Sequence, residues 1–148
     1  MARVFVAGSI NMDVVATASR HPRVGETVAG QAVHYFPGGK GANQAVAAAK
    51  LGASSTLIGR LGTDAFGQQL RTFLAAQGVD LASVKDTADI HTGTAIITIA
   101  DADNTIVVVP GANALVSAED VAAAMLAKGD VAVSQFEIPQ ATIAAFFK

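Results

Sequence analysis

The chain contains no cysteine among its 148 residues. A disulfide framework, a thiolate metal site and a cysteine nucleophile are therefore excluded for it. Charge is also scarce, because only 15% of the residues are charged, the net charge is −2 and the pI is near 5.8. Such a chain offers no positive field to a nucleic-acid backbone or an anionic membrane. We expect a small molecule as its partner, with no nucleic acid and no membrane.

Long hydrophobic runs are missing as well. No uninterrupted apolar segment approaches the roughly 18 residues that a membrane span needs. The amino-terminal stretch MARVFVAGSINMD has only a short apolar run, too short for the core of a signal peptide. These absences favour a cytoplasmic protein. Hydrophobic residues nevertheless make up 51% of the chain, which is enough to bury a core.

Apolar runs rich in valine and isoleucine alternate with alanine-rich segments. The apolar runs predict strands at 3–8, 14–18, 27–36, 55–60, 93–100, 105–110 and 130–137. The alanine-rich segments predict helices at 42–51 and 65–77, and a capping-box pattern at Ser117 and Asp120 predicts another at 121–129. This alternation is typical of an α/β fold with a parallel central sheet, and the half-exposed strands and the hairpin at 93–110 indicate a small side sheet.

Aromatic residues are few, at 5% of the chain. Most of the phenylalanines lie on apolar segments, which predicts a place in the core rather than on a binding surface. The ones concerned are Phe66, Phe73, Phe136, Phe146 and Phe147.

The stretch FPGGKGANQAVAAAKLG at 36–52 combines four glycines with a lysine just before a predicted helix. It is not a Walker loop, because the positions that need a glycine and a Ser or Thr hold His34 and Gly41. It is not a dinucleotide fingerprint either, because the last glycine position of that motif holds Gln44. Bare backbone N–H groups at a helix start, with Lys40 and Asn43 as further donors, fit a polyhydroxylated ligand. Glycines that only form a tight strand-to-helix turn remain the alternative.

The spacing around this loop forms a longer pattern. The chain reads Gly39, Lys40, Gly41, any residue, Asn43, any residue, Ala45, then six residues to Gly52 and nine more to Gly62. The pattern resembles the first signature of the ribokinase (PfkB) family of carbohydrate kinases at every fixed position. GSINMD at 8–13, GTDAFG at 62–67 and QFE at 135–137 resemble further segments of that family. The resemblance covers the whole chain and corresponds to the amino-terminal half of such a kinase.

This resemblance implies a ribokinase-like fold and a sugar site. The fold has a Rossmann-like central sheet flanked by helices and a small β-sheet lid, formed by the strands near 14–18, 27–36, 93–100 and 105–110. The implied sugar contacts are Asn11, Asp13, Gly38, Gly39, Lys40, Asn43 and Glu137. Taken by position alone, Asn11 and Asp13 are ordinary turn residues after a buried strand, and Glu137 is a charge at a strand end.

The resemblance also implies a reaction. An aspartate of a G-A-G-D-type motif accepts the proton of a sugar hydroxyl, which attacks the γ-phosphorus of ATP, with Mg²⁺ and a monovalent cation such as K⁺ as cofactors. No such motif occurs here, so the base, the nucleotide pocket and the metal sites are expected beyond Lys148. With the carboxy-terminal half absent, we expect the chain alone to be inactive and prone to association through uncovered strands.

The segments NMD and GGKGANQA look more like those of the family's ribose kinases than those of its phosphofructokinase, adenosine or ketodeoxygluconate kinases. The resemblance thus implies transfer of the γ-phosphate to the 5-hydroxyl of D-ribose, in a homodimer joined by the lid strands. Two alternatives stay open: a family kinase acting on another pentose, a hexose or a nucleoside, and a non-catalytic module for sugar binding or dimerisation.

Overall fold

The computed structural model describes residues 2–148 as two four-stranded sheets with helices. The strands are β1 (Arg3–Ala7), β2 (Asn11–Ala18), β3 (Gly30–Gly38), β4 (Ser54–Gly62), β5 (Val84–Thr87), β6 (Gly93–Ala100), β7 (Asp103–Val109) and β8 (Val131–Ser134). The helices are α1 (Lys40–Lys50), α2 (Ala65–Ala76), α3 (Ala118–Ala122) and α4 (Gln140–Phe146), with a 3-10 helix at Gly111–Leu115. In this part of the chain, no helix is long and apolar enough to cross a membrane.

The central sheet is parallel, in the order β5-β4-β1-β8, and it is covered on both faces. Successive side chains of a strand point to opposite faces, so Leu57 and Leu61 of β4 join the core beneath α1 and α2, while Ile58 joins the core beneath α3 and α4. All three side chains are fully buried. Burial of both faces explains the continuous apolar runs, and the predicted α/β fold is confirmed.

The second sheet has the order β3-β2-β6-β7 and contains the four segments assigned to a side sheet from the sequence. β2 lies at its centre, antiparallel to β3 and parallel to β6, and β7 completes the hairpin with β6. The chain crosses between the two sheets four times, after β1, β3, β5 and β7. The second sheet is therefore tied to the central sheet at every one of these junctions.

Residues that commonly begin or end helices lie at several boundaries. Asp64 caps α2 by accepting a hydrogen bond of 2.8 Å from the backbone N–H of Gly67, as an amino-terminal cap should. Gly78 follows that helix with a φ of 80°, and Gly52 follows α1 with a φ of 87°. The hairpin turns at Asp101 and Ala102, both with positive φ, so that β7 begins at Asp103, within the segment 101–104 that separates the two predicted strands.

Several predicted elements differ in extent, and β2, β8 and α3 are the ones that change the place of a residue or segment named above. β2 begins at Asn11, so Asn11 and Asp13 lie within a strand instead of a turn, because β3 and β6 pair with β2 from its first residue. β8 ends at Ser134, which leaves Glu137 in the following turn rather than at a strand end. α3 covers only Ala118–Ala122, so most of the segment predicted as helix, up to residue 129, is not helical. There the Asp130 carboxylate accepts a hydrogen bond from the N–H of Ala127 and pairs with the side chain of Arg3.

The prediction of a buried place is right for some phenylalanines and wrong for others. Phe146 is buried and Phe66 packs against the core beneath α1 and α2. Phe136 is 85% exposed and Phe147 is 57% exposed, and Phe73 is also exposed. Phe136 lies beyond the end of β8, where the alternation of a strand no longer directs its side chain into the core.

Candidate functional site

The candidate site lies where the first two junctions between the sheets meet. α1 begins against the turn that joins β1 to β2, and the backbone N–H of Ala42 donates a 2.9 Å hydrogen bond to the carbonyl of Ser9. A Cβ on Gly41 would stand 2.5 Å from the carbonyl carbon of Gly8, so the two backbones are in direct contact. Gly39 has a φ of 91°, and its Cβ would stand 2.7 Å from the Ser9 carbonyl oxygen. Only glycine satisfies both demands at residue 39.

Next to this contact, a cavity of about 210 Å³ lies between the glycine loop and the second sheet. Six of the seven residues predicted to contact sugar line it: Asn11, Asp13, Gly39, Lys40, Asn43 and Glu137. Its other wall is apolar and consists of Ala95, Ile97, Ile106 and Val108. A neighbouring cavity of about 380 Å³ shares Asn11, Val108 and Glu137 with it. A compact ligand with one polar and one apolar face fits such a lining.

Gly38, the seventh predicted residue, does not line the cavity, but it lies directly against the carboxylate of Asp13. A Cβ on Gly38 would overlap the carboxylate oxygens. Asp13 of β2 pairs with Phe36 of β3, which is two residues before Gly38 on the same strand. The absence of a side chain at Gly38 therefore leaves the room that the Asp13 carboxylate occupies.

Asp13 is half-buried, and its carboxylate accepts no hydrogen bond from any group of residues 2–148. Burial raises the pKa of Asp13, and the negative charge of Glu137 raises it further. A carboxylate that is partly desolvated and lacks donors gains from a ligand that brings hydroxyl groups.

Glu137 is held in place by its neighbours. Its Oε2 accepts a hydrogen bond of 2.6 Å from the hydroxyl of Ser9 and one of 3.3 Å from the backbone N–H of Lys40. The ammonium of Lys40 lies 3.4 Å from Oε1. Burial raises the pKa of Glu137, but the hydrogen bonds from Ser9 and Lys40 and the Lys40 charge outweigh it and lower that pKa below its usual value. Glu137 is thus an ionised acceptor beside Asp13.

Two polar residues at the site were not predicted from the sequence. Ser9 is buried and joins Glu137 to the glycine loop, since its hydroxyl also lies 3.4 Å from the N–H of Gly41. Asn113 is buried next to Asn11. Ser9 belongs to the GSINMD segment quoted above, which is a usable signal, whereas Asn113 lies in the 3-10 helix, outside the motifs quoted above.

Within residues 2–148, no group of three or more acidic, histidine or cysteine side chains is arranged to hold a metal ion.

Residues 1–144 match the profile of the pfkB family of carbohydrate kinases. The chain is 41% identical to a ribokinase from Bacillus subtilis, over 97% of this chain and 50% of the relative, and 34% identical to a deoxyribokinase from Salmonella typhi, over 95% and 47%. The structure of an Arabidopsis thaliana ribokinase complexed with ribose and ATP matches 99% of this chain and 50% of its own, with a TM-score of 0.81 and 32% identity. The chain belongs to the pfkB family of carbohydrate kinases, and it spans about half the length of the relatives it matches.

Proposed function

We propose that the intact protein containing this chain is an ATP-dependent sugar kinase that phosphorylates the 5-hydroxyl of D-ribose, and that this chain provides the sugar-binding side of its site. The observation that carries the proposal is the Asp13 carboxylate, which lies without a donor at a cavity shared with Lys40, Asn43 and Glu137. The similarity to ribokinases supports ribose as the substrate.

Different residues of the cavity make different kinds of contact with a sugar. Asp13 and Glu137 accept hydrogen bonds from hydroxyl groups, and a carboxylate can accept from two adjacent hydroxyls of a diol. Lys40 and Asn43 donate to sugar oxygens from the glycine loop. The apolar wall around Ile97 and Ile106 packs against the carbon face of the ring and excludes water from it. The side chains thus hold the sugar without taking part in the transfer itself.

The transfer step is assigned outside this chain. The sugar's 5-hydroxyl loses its proton to an aspartate expected in a G-A-G-D-type motif, and its oxygen forms a bond to the γ-phosphorus as ADP leaves. ATP is the proposed phosphoryl donor, with Mg²⁺ and a monovalent cation such as K⁺ bound largely by residues outside this chain. Because ATP is supplied in the cytoplasm, we place the protein there.

Deoxyribose is the second candidate substrate. The similarity to a deoxyribokinase favours it, and an apolar wall at Ala95 and Ile97 tolerates a sugar that lacks one hydroxyl. A coupled assay of ADP release by the intact protein compares ribose, deoxyribose, fructose 1-phosphate and adenosine. A higher kcat/KM for any sugar other than ribose would end the ribose assignment, and no release of ADP with any of them would favour a non-catalytic sugar-binding module.

Asp13→Asn is expected to weaken ribose binding by about 10- to 100-fold in the intact protein, with ATP binding unchanged. The reason is that a hydrogen bond to a charged group contributes about 1.5–3 kcal/mol, and part of this is lost with the charge. The KM values for ribose and ATP measure the two effects. Asp103→Asn, at an exposed residue that begins β7, is the matched control. An unchanged ribose KM would remove Asp13 from the site.

As the pH falls, ribose binding is expected to weaken at a higher pH than it would if Asp13 had the ordinary pKa of an aspartate. Asp13 must be ionised to accept two hydroxyl groups, and its pKa is raised by burial and by Glu137. Glu137→Gln removes that negative charge, so the pKa of Asp13 falls and the acidic limb of kcat/KM for ribose moves to lower pH. A limb that stays in place or moves to higher pH in Glu137→Gln would contradict the coupling of the two carboxylates.

We further propose that the intact protein is a homodimer joined through the second sheet. β7 is an edge strand whose Ile106, Val107 and Val108 are about half or more exposed, on both faces of the sheet. Exposed apolar edge strands favour pairing with another chain. Light scattering of the intact protein over a range of concentrations is expected to give twice the mass of one intact polypeptide, and a monomer at all concentrations would exclude the dimer.

A further inference from the structure

Asn113 is a buried amide that connects two of the four junctions between the sheets. It lies in the 3-10 helix after β7, and it is only 1% exposed. Its Oδ1 accepts a 2.9 Å hydrogen bond from the backbone N–H of Ile10, and its Nδ2 donates 3.2 Å to the carbonyl of Ile10. The same Nδ2 donates 2.7 Å to Oδ1 of Asn11, at the start of β2.

These hydrogen bonds determine on which side each amide carries its oxygen and on which side its nitrogen. A backbone N–H can only donate and a backbone carbonyl can only accept, so the two bonds to Ile10 fix the oxygen and nitrogen of Asn113. The nitrogen of Asn113 then requires an acceptor from Asn11, which must turn its oxygen away from the cavity. The Nδ2 of Asn11 makes no hydrogen bond with residues 2–148, and Asn11 lines the cavity beside Asp13.

We propose that Asn113 is a positioning residue that makes Asn11 an obligate hydrogen-bond donor to the sugar. This rests on the proposed function, because it names what Asn11 does in that same site. Without Asn113, the amide of Asn11 could present either its oxygen or its nitrogen to a ligand. With Asn113 in place, the Nδ2 of Asn11 donates a hydrogen bond to a lone pair of a sugar oxygen, while Asp13 and Glu137 accept hydrogen bonds from sugar hydroxyls. Asn11 therefore requires an acceptor at this position, which a hydroxyl oxygen or the ring oxygen of a sugar supplies.

The packing around the two amides supports this role. A Cβ on Gly93, the first residue of β6, would overlap both Nδ2 of Asn113 and Oδ1 of Asn11. Gly93 pairs with Asn11 in the second sheet, so the two amides meet in the space that its missing side chain leaves. The bond between the amides is therefore enclosed and does not compete with water.

The test uses two variants of the intact protein that change the cavity-facing atom by different routes. In Asn113→Asp, the second carboxylate oxygen replaces the donor, so Asn11 must turn its nitrogen inward and its oxygen toward the sugar. In Asn11→Asp, the bond to Asn113 is kept and an oxygen replaces the nitrogen that faces the cavity. Both variants are expected to raise the KM for ribose by about tenfold or more, with the KM for ATP unchanged.

An Asn11→Ala background separates positioning from a general structural role. There Asn113→Asp has no amide to turn, so the ribose KM of the double variant is expected to equal that of Asn11→Ala. Wild-type protein without ribose-dependent ADP release would overturn the proposed function and this inference with it. An active wild type would overturn the inference alone if Asn113→Asp kept its ribose KM, or raised it equally in the Asn11→Ala background. If Asn113→Asp does not fold, an unchanged ribose KM in Asn11→Asp would overturn it and a raised one would support it.

Discussion

Gly39→Ala is expected to abolish ribose-dependent activity of the intact protein and to lower its free energy of unfolding by about 2–4 kcal/mol. At Gly39 the backbone has a φ of 91° and a ψ of 134°, a region that residues with a side chain sparsely populate, and holding an alanine there costs about 1–3 kcal/mol. The new Cβ would also stand 2.7 Å from the Ser9 carbonyl oxygen and 2.8 Å from the N–H nitrogen of Asn11. The loop must then move away from β2, which widens the cavity. Urea unfolding and the coupled assay measure the two losses.

Gly52→Ala is the control for this variant, because Gly52 lies at the other end of the same helix with a similar φ of 87°. Nothing lies within 4 Å of its Cβ position, so it tests the backbone conformation alone. We expect a loss of about 1–2 kcal/mol and full activity. Equal losses of stability and activity in both variants would mean that the contact between the glycine loop and the β1–β2 turn is unimportant.

Asp120→Ala is expected to cost about 3–5 kcal/mol of unfolding free energy, the cost of breaking a buried ion pair from one side. The carboxylate of Asp120 is fully buried, with Arg60 Nε at 2.6 Å and Lys85 Nζ at 2.7 Å. It also accepts a 2.9 Å hydrogen bond from the N–H of Ser117 at the start of α3. Its loss leaves Arg60, which is largely buried, without its partner. Urea unfolding of the intact protein measures the change.

The same carboxylate predicts a pH dependence. Burial raises the pKa of Asp120, but the hydrogen bonds from Arg60, Lys85 and Ser117 outweigh it and bring the pKa to about 2. A pKa below the unfolded value of about 3.9 means that the stabilisation is complete above that pH and is lost as the pH falls toward 2.

Asp86→Ala removes the exposed pair with Arg71 and is expected to cost less than about 1 kcal/mol. Similar costs for both variants would contradict the importance of burial.

Elements with a local signal at both ends could be predicted from the sequence. α2 has a capping aspartate at Asp64 and a glycine at Gly78, and its observed bounds differ from the prediction by one residue. Elements whose limits depend on distant partners could not. The early end of α3 accompanies a pair between Arg3 and Asp130, which are 127 residues apart in the chain. Such a contact leaves no trace in the periodicity of either segment.

The candidate site shows the same division. The glycine loop could be predicted because its demands, a bare backbone and a helix start, lie within a few consecutive residues. Ser9 and Asn113 were missed because their partners Glu137 and Ile10 lie 128 and 103 residues away. A serine or an asparagine in isolation is typical of a turn, and only the folded chain makes it a buried hydrogen-bonding group.

The four junctions between the sheets also limit how this architecture can be recombined. Exchanging the second sheet between two related kinases would require four cuts in the chain, and the cuts after β1 and β3 fall beside Asn11 and Gly39 at the cavity. Each chimera would then join a glycine loop from one parent to a β2 strand from the other. Opening the chain at the Asp101–Ala102 turn instead, as a circular permutation does, leaves all four junctions intact. Variation in this sheet is therefore expected to pass between related proteins as point changes on its strands and not as an exchanged module.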